Sequence, residues 1–114
     1  MSQMIQRGKE ILRINFQKNT IEYSIDGGRN WRSRYSGNSA GKFIDLLDFG
    51  SEVLATTSKG IYYSSDDGRN WRTRYIGSTY GTFAQLMLDG STVLANTSKG
   101  LCYSKDGGRN WHRR

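Results

Sequence analysis

A 40-residue internal repeat restricts this chain's fold more than any other feature. The run Tyr23-Ser24-Ile25-Asp26-Gly27-Gly28-Arg29-Asn30-Trp31 returns in register from Tyr63 to Trp71 and again from Tyr103 to Trp111. Upstream, the stretch from Gly50 to Gly60 comes back almost unchanged from Gly90 to Gly100, and Phe43 and Phe83 open those two units. The first unit diverges: Gly8-Lys9-Glu10-Ile11-Leu12 matches the same turn and strand, with two extra residues before Ile21. A period of this length marks one supersecondary unit copied in tandem. Such copies must stack, because none can bury its own faces alone.

Alternation and turn residues divide each unit into four strands, A to D, with no helical period. In the second unit these fall at about 43–48, 53–57, 61–65 and 71–75, with glycines 50, 60 and 68 at the joints. Strand B is a nearly continuous run of small apolar residues and threonine, the pattern of an inner strand covered on both faces. Strand D alternates Trp, Arg, Thr, Arg, Tyr, so burial should fall from the inside of the sheet to its outside. No proline, 14 glycines and 12% aromatic residues agree with short strands and tight turns. The expected fold is all-β, with three four-stranded antiparallel blades near 1–40, 41–80 and 81–114 in a single unit.

The octet from Ser24 to Trp31 has a physical reading of its own. An aspartate at the C–D hairpin accepts backbone N–H groups of its own turn, and Asp26, Asp66 and Asp106 have that position. The fifth residue is Gly28, Gly68 or Gly108, whereas the fourth is Gly27, Asp67 or Gly107; only the fifth is therefore expected to need positive φ. Trp31, Trp71 and Trp111 offer a flat surface that wedges against a neighbouring sheet. The octets, with Ser24, Ser64 and Ser104 at their heads, resemble the Asp-box or BNR repeat, Ser/Thr-x-Asp-x-Gly-x-Thr/Ser-Trp, of sialidases and many other β-propellers. Asn30, Asn70 and Asn110 depart from it at the hydroxyl position, where asparagine still bonds the turn. The resemblance implies propeller blades in which these residues are structural.

Sialidases make hydrolysis a reading to test. The resemblance would imply an arginine triad, a Tyr/Glu nucleophilic pair and an acid/base aspartate, and no such set is found. Most of the ten acidic residues lie in the boxes or flank the A–B turns, as Glu10, Asp48, Glu52 and Asp89 do. Asp45 is expected to face a solvated central channel, as Gln85 would in the next unit, and one carboxylate alone does not suit glycoside chemistry. His112 has no metal-ligating companion at useful spacing. Cys102 aligns with Tyr62 and Glu22 and is expected to be partly exposed; with one cysteine there is no intrachain disulfide. The expectation is a non-catalytic binding or scaffold module without metal or cofactor, and a glycoside hydrolase is disfavoured.

Two surfaces carry candidate ligand residues. Seventeen basic against ten acidic residues give a net charge of +7, so anionic partners are attracted. On strand D, Arg32, Arg34, Arg72 and Arg74 form a basic rim that reads either as a polyanion or nucleic-acid surface or as charged protection of an edge strand. In the resembled propellers the B–C and D–A loops open on the face away from the boxes, and ligands bind there. That face would carry Lys18, Lys59 and Lys99 in the B–C loops with Asn38, Lys42 and Tyr80 in the D–A loops, a set suited to a carbohydrate or small anion. Three blades do not close a ring, so the chain is expected to form a six-bladed propeller as a homodimer. A strand at 3–7 is a candidate for exchange between the subunits. No basic-then-apolar leader or long apolar run opens the chain, which fits a cytoplasmic protein off the membrane.

Overall fold

The structure is a computed structural model that describes residues 4–77 and 79–114. Gln3, at the head of the strand proposed for exchange, and Ser78, in the second D–A loop, lie outside the described residues. The chain forms three antiparallel sheets of four strands each, every one in simple meander order. The first holds β1 (Met4–Arg7), β2 (Glu10–Asn15), β3 (Thr20–Ser24) and β4 (Arg32–Ser36). The second holds β5 (Phe43–Phe49), β6 (Glu52–Thr57), β7 (Gly60–Ser64) and β8 (Arg72–Tyr75). The third holds β9 (Phe83–Asp89), β10 (Thr92–Thr97), β11 (Gly100–Ser104) and β12 (His112–Arg113). These are strands A to D of three blades. Each box tryptophan falls just ahead of its D strand rather than inside it.

The inner strands stand side by side, with β5 packed against both β1 and β9. The hydrophobic core consequently lies between blades. One cluster joins Ile5, Leu12, Ile14 and Ile21 of the first blade to Phe43, Leu46, Val53, Ala55 and Tyr62 of the second. The other joins Leu47, Leu54 and Ile61 to Phe83, Leu86, Val93, Ala95, Cys102 and Trp111. Stacked sheets bury what a lone meander leaves open, which is the physical content of the repeat. Cys102 lies in the second cluster at 1% exposure, so the expectation of partial exposure is wrong. Its side chain sits in the space between two sheets, where a thiol behaves as a small hydrophobe.

Asp45 also departs from expectation. It is fully buried, and its carboxylate accepts the Leu86 backbone N–H of the next inner strand at 2.8 Å. The cause is a β-bulge: Phe43 pairs with Thr57 but Asp45 with Thr56, so simple alternation misplaces this side chain. Thr56 beside it donates to the Ala84 carbonyl at 2.6 Å. Because β9 is the inner edge of its sheet, both side chains partner backbone groups on an otherwise open edge. The equivalents in the third blade, Gln85 and Asn96, bond each other at 3.2 Å.

Candidate binding and packing surfaces

The three C–D hairpins share one hydrogen-bond pattern. Ser24, Ser64 and Ser104 each donate to the aspartate two residues on at 2.7 Å and accept the N–H of Gly28, Gly68 or Gly108. Each aspartate also accepts the backbone N–H and the side-chain amide of the asparagine four residues on. The amide thus does the work of the missing hydroxyl. These donors favour the charged carboxylate. The Asn30 backbone N–H, then its side chain and Ser24, hold Asp26 down from 3.8 to about 2. Burial raises the pKa of Asp66, but Asn70 and Ser64 outweigh it and the group also lies at about 2. The Asn110 backbone N–H, then its side chain and Ser104, hold Asp106 lower still.

The fourth octet position requires correction. Gly27, Asp67 and Gly107 all have positive φ, 75°, 59° and 74°, as do the glycines that follow them. Asp67 occupies this left-handed conformation because aspartate is among the few side chains that tolerate it. Two consecutive residues of this kind turn the hairpin tip toward the preceding blade. A Cβ on Gly68 would lie 3.4 Å from Ile21 and Leu12, and one on Gly108 would lie 3.6 Å from Ile61. The indole N–H of each box tryptophan donates to the carbonyl of its own fifth-position glycine. Trp71 meets Phe43 and Trp111 meets Phe83, at ring separations of 5.3 and 5.1 Å. Trp31 has no earlier blade among the described residues; the Arg13 guanidinium lies over it at 3.9 Å.

The arginine rim is not a free polyanion surface. Arg34 and Arg74 are 5% and 4% exposed at the side chain and form two-pronged ion pairs with Glu10 and Glu52. Each lies 3.9 Å over a tyrosine ring, Tyr23 or Tyr63, and donates to the next blade's fourth-position carbonyl, Asp67 or Gly107, at 3.2 Å. Both occupy a bulge, since Ile21 pairs with Tyr35 but Glu22 with Ser33, and β7 and β8 repeat that slip. The hydrogen bond from arginine lowers the pKa of either glutamate, and the glutamate raises that of the arginine. Arg32 and Arg72 remain exposed. The recurring Glu10/Arg34 and Glu52/Arg74 pairs were a readable signal of this contact.

On the opposite end, the D–A and B–C loops interlock. Ser58 accepts the Lys42 N–H at 2.9 Å, and Lys59 Nζ donates to the Ser39 carbonyl at 3.1 Å. The Asn38 carbonyl accepts the Gly41 N–H within its own turn. The backbone N–H groups of Lys18 and Lys99 donate to the Asn15 and Thr97 side chains, and both lysines are exposed. A cleft of about 200 Å³ opens here, lined by Thr57, Ser58, Lys59, Gly81 and Thr82 among others. Lys59 thus lines it and Lys42 adjoins it through Ser58. Tyr80 does not stand free as a ligand group: its hydroxyl donates to the Trp111 carbonyl at 2.5 Å and braces the third blade. All ion pairs among the described residues use arginine, so the loop lysines form no salt bridge, although Lys18 acts on Glu22 through space.

Sheet order, hairpin bonding and tryptophan packing together define Asp-box β-propeller blades. The BNR/Asp-box repeat model matches residues 103–113, the hairpin of the third blade. Among solved structures, the chain is similar to "YCF48 bound to D1 peptide", with a TM-score of 0.72 and 16% identity over 97% of this chain and 39% of that one. It is also similar to YCF48 from Cyanidioschyzon merolae, with a TM-score of 0.66 and 22% identity over 95% of this chain and 41% of that one. The likeness is one of fold, the β-propeller. This chain spans about two fifths of either structure's length. No curated protein matches it. Among the described residues no helix is long and apolar enough to cross a membrane, and no cluster of metal-ligating side chains occurs.

Proposed function

We propose that the chain is a non-catalytic propeller module that binds a carboxylate-bearing partner, such as an acidic peptide segment, on its B–C and D–A loop face. One observation carries this reading: nine of the ten acidic groups, all but Asp89, are committed to the fold, while the loop lysines form no ion pair among the described residues. Asp26, Asp66 and Asp106 hold hairpins, Glu10 and Glu52 hold arginines, Arg7 takes Asp48 and Asp67, Arg13 takes Glu22, and Asp45 is buried. That leaves no carboxylate pair for glycoside chemistry among the described residues. Lys59 lines the cleft, Lys42 adjoins it through Ser58 and Lys99 lies beside Gly81, with Lys18 in the matching loop of the first blade, a setting suited to carboxylates of a peptide or of a sugar acid. The peptide bound to the similar propeller supports a peptide ligand here.

Fluorescence polarisation with a labelled oligoglutamate peptide tests the reading. Lys59→Glu and Lys99→Glu are expected to weaken binding by about tenfold each, and binding should weaken further with salt. Arg32→Glu and Arg72→Glu should leave it within about twofold, since they lie on the outer strands. Equal losses from lysine and arginine variants would favour the rim, and turnover of a fluorogenic sialoside would end the non-catalytic reading.

A further inference from the structure

The chain shows twice what covers the outward face of a blade. At the first junction Gly68 packs on Leu12 and Ile21, while Arg34 donates to the Asp67 carbonyl. At the second, Gly108 packs on Ile61 and Arg74 donates to the Gly107 carbonyl. The occupant each time is the Asp-box hairpin of the next blade. On the third blade the same face has no neighbouring sheet among the described residues. Its equivalents of Leu54, Ile61 and Arg74 are Leu94, Leu101 and Arg114, and Leu94 and Leu101 are half-exposed where their counterparts are fully buried. A cavity of about 410 Å³ stands beside them, lined by Asp89, Thr92, Tyr103, Lys105 and Arg114.

The first blade holds the complementary part. Its serine, aspartate and asparagine bond as in the two that are docked, but Gly27 is exposed where Gly107 is buried. We propose that the box hairpin of a second copy, residues 26–31, docks on the outward face of the third blade, with its Gly27 carbonyl accepting from Arg114 and its Gly28 lying on Leu101. Charge fits this occupant. Arg69 and Arg109 act on Glu10 and Glu52 at the two internal junctions. The copy's Arg29 takes their place, and although Thr92 replaces the glutamate, the cavity supplies Asp89, a carboxylate with no ion pair among the described residues. Two copies related by a twofold axis make this contact twice and close a ring of six blades. The inference rests on the propeller reading and is independent of the ligand on the loop face.

Light scattering on the eluting chain tests it. A single species of twice 13.0 kDa is expected. Leu101→Asp should convert it to the monomer, and Ile76→Asp, an exposed loop change, should leave it dimeric. Arg29→Asp and Asp89→Arg should each raise the dimer Kd by about tenfold or more, and the double variant should restore most of the loss. The charge pair does not depend on an apolar substitution in a sheet, so it decides the matter even if Leu101→Asp fails to fold. A monomeric parent chain, a larger multiple, or a dimer indifferent to both charge changes would overturn the proposal. Oligoglutamate binding by a monomeric parent would locate the failure in the docking and leave the ligand reading intact.

Discussion

The two blade junctions solve one packing problem with different chemistry at one corner. Both share the positive-φ hairpin tip, the half-buried Glu–Arg pair over a tyrosine, and the indole beside a phenylalanine. They part company at the A–B turn. In the first, Arg7 reaches Asp48 and Asp67 at 2.6 and 2.9 Å and the Gly50 carbonyl as well. In the second, the residue in Arg7's place is Phe49, which lies against Gly107, and Leu88 stands where Asp48 was. Charge on one side changes together with charge on the other. The junction therefore constrains the pair of surfaces and leaves open which kind of contact joins them.

Replacing the shared arginines should cost most. Arg34→Met or Arg74→Met strands a glutamate that is only 23% or 22% exposed at the side chain, and each should lower stability by about 2–4 kcal/mol in chemical denaturation. If the two junctions are equivalent here, the two losses agree within about 1 kcal/mol, the scatter expected between like sites. A larger gap would mean that the resemblance between the two pairs is only geometric.

Next comes a buried contact of the second junction. Asp45→Ala removes the acceptor of the Leu86 N–H in a fully buried place and should cost about 1–3 kcal/mol. Gln85→Ala, at the matching position of the third blade, should cost under about 0.5 kcal/mol, as surface changes do. Equal costs would show that burial between blades is not what gives Asp45 its weight.

These two sites also show what could be read from sequence. The period, the strand number and the hairpin octets were legible because each depends on local residues whose turn chemistry repeats. Asp45 and Arg34 were not, for one physical reason: a bulge puts an extra residue into the strand, and strict alternation then assigns the wrong surroundings. The positive φ at Asp67 was hidden because a non-glycine residue there reads as ordinary backbone. The pairing of Glu10 with Arg34 was visible in principle, since glutamate and arginine recur together in two units. Thr92 breaks that recurrence in the third unit.

The corner contact can be exchanged between junctions. Phe49→Arg alone puts a cation against Gly107 without a partner and should cost about 1–2 kcal/mol. Adding Gly107→Asp supplies the carboxylate, and Asp67 shows that an aspartate accepts the left-handed backbone of that position. The double variant should regain about 1 kcal/mol over the sum of the single changes. Strict additivity in the cycle would break the claim that Arg7 and Asp67 on one side, and Phe49 and Gly107 on the other, are alternative forms of the same contact.

The smallest effect separates what the hairpins share from what the junctions add. Asn70→Ala removes one donor to Asp66 and should cost about 0.5–1 kcal/mol at neutral pH. Asp66 is held at about 2, below an unfolded value of about 3.9, so its contribution is complete above roughly pH 4 and lost as pH falls toward 2. In the variant the carboxylate titrates closer to its unfolded value, and less stability is left to lose over that interval. The gap between parent and variant should therefore be widest at neutral pH and close by about pH 2, where both carry a protonated Asp66. Asn30→Ala should follow the same sign on the open hairpin, because the bonds to Asp26 are the same. A gap that stays constant across this range would mean that the amide packs the turn without favouring the charged aspartate.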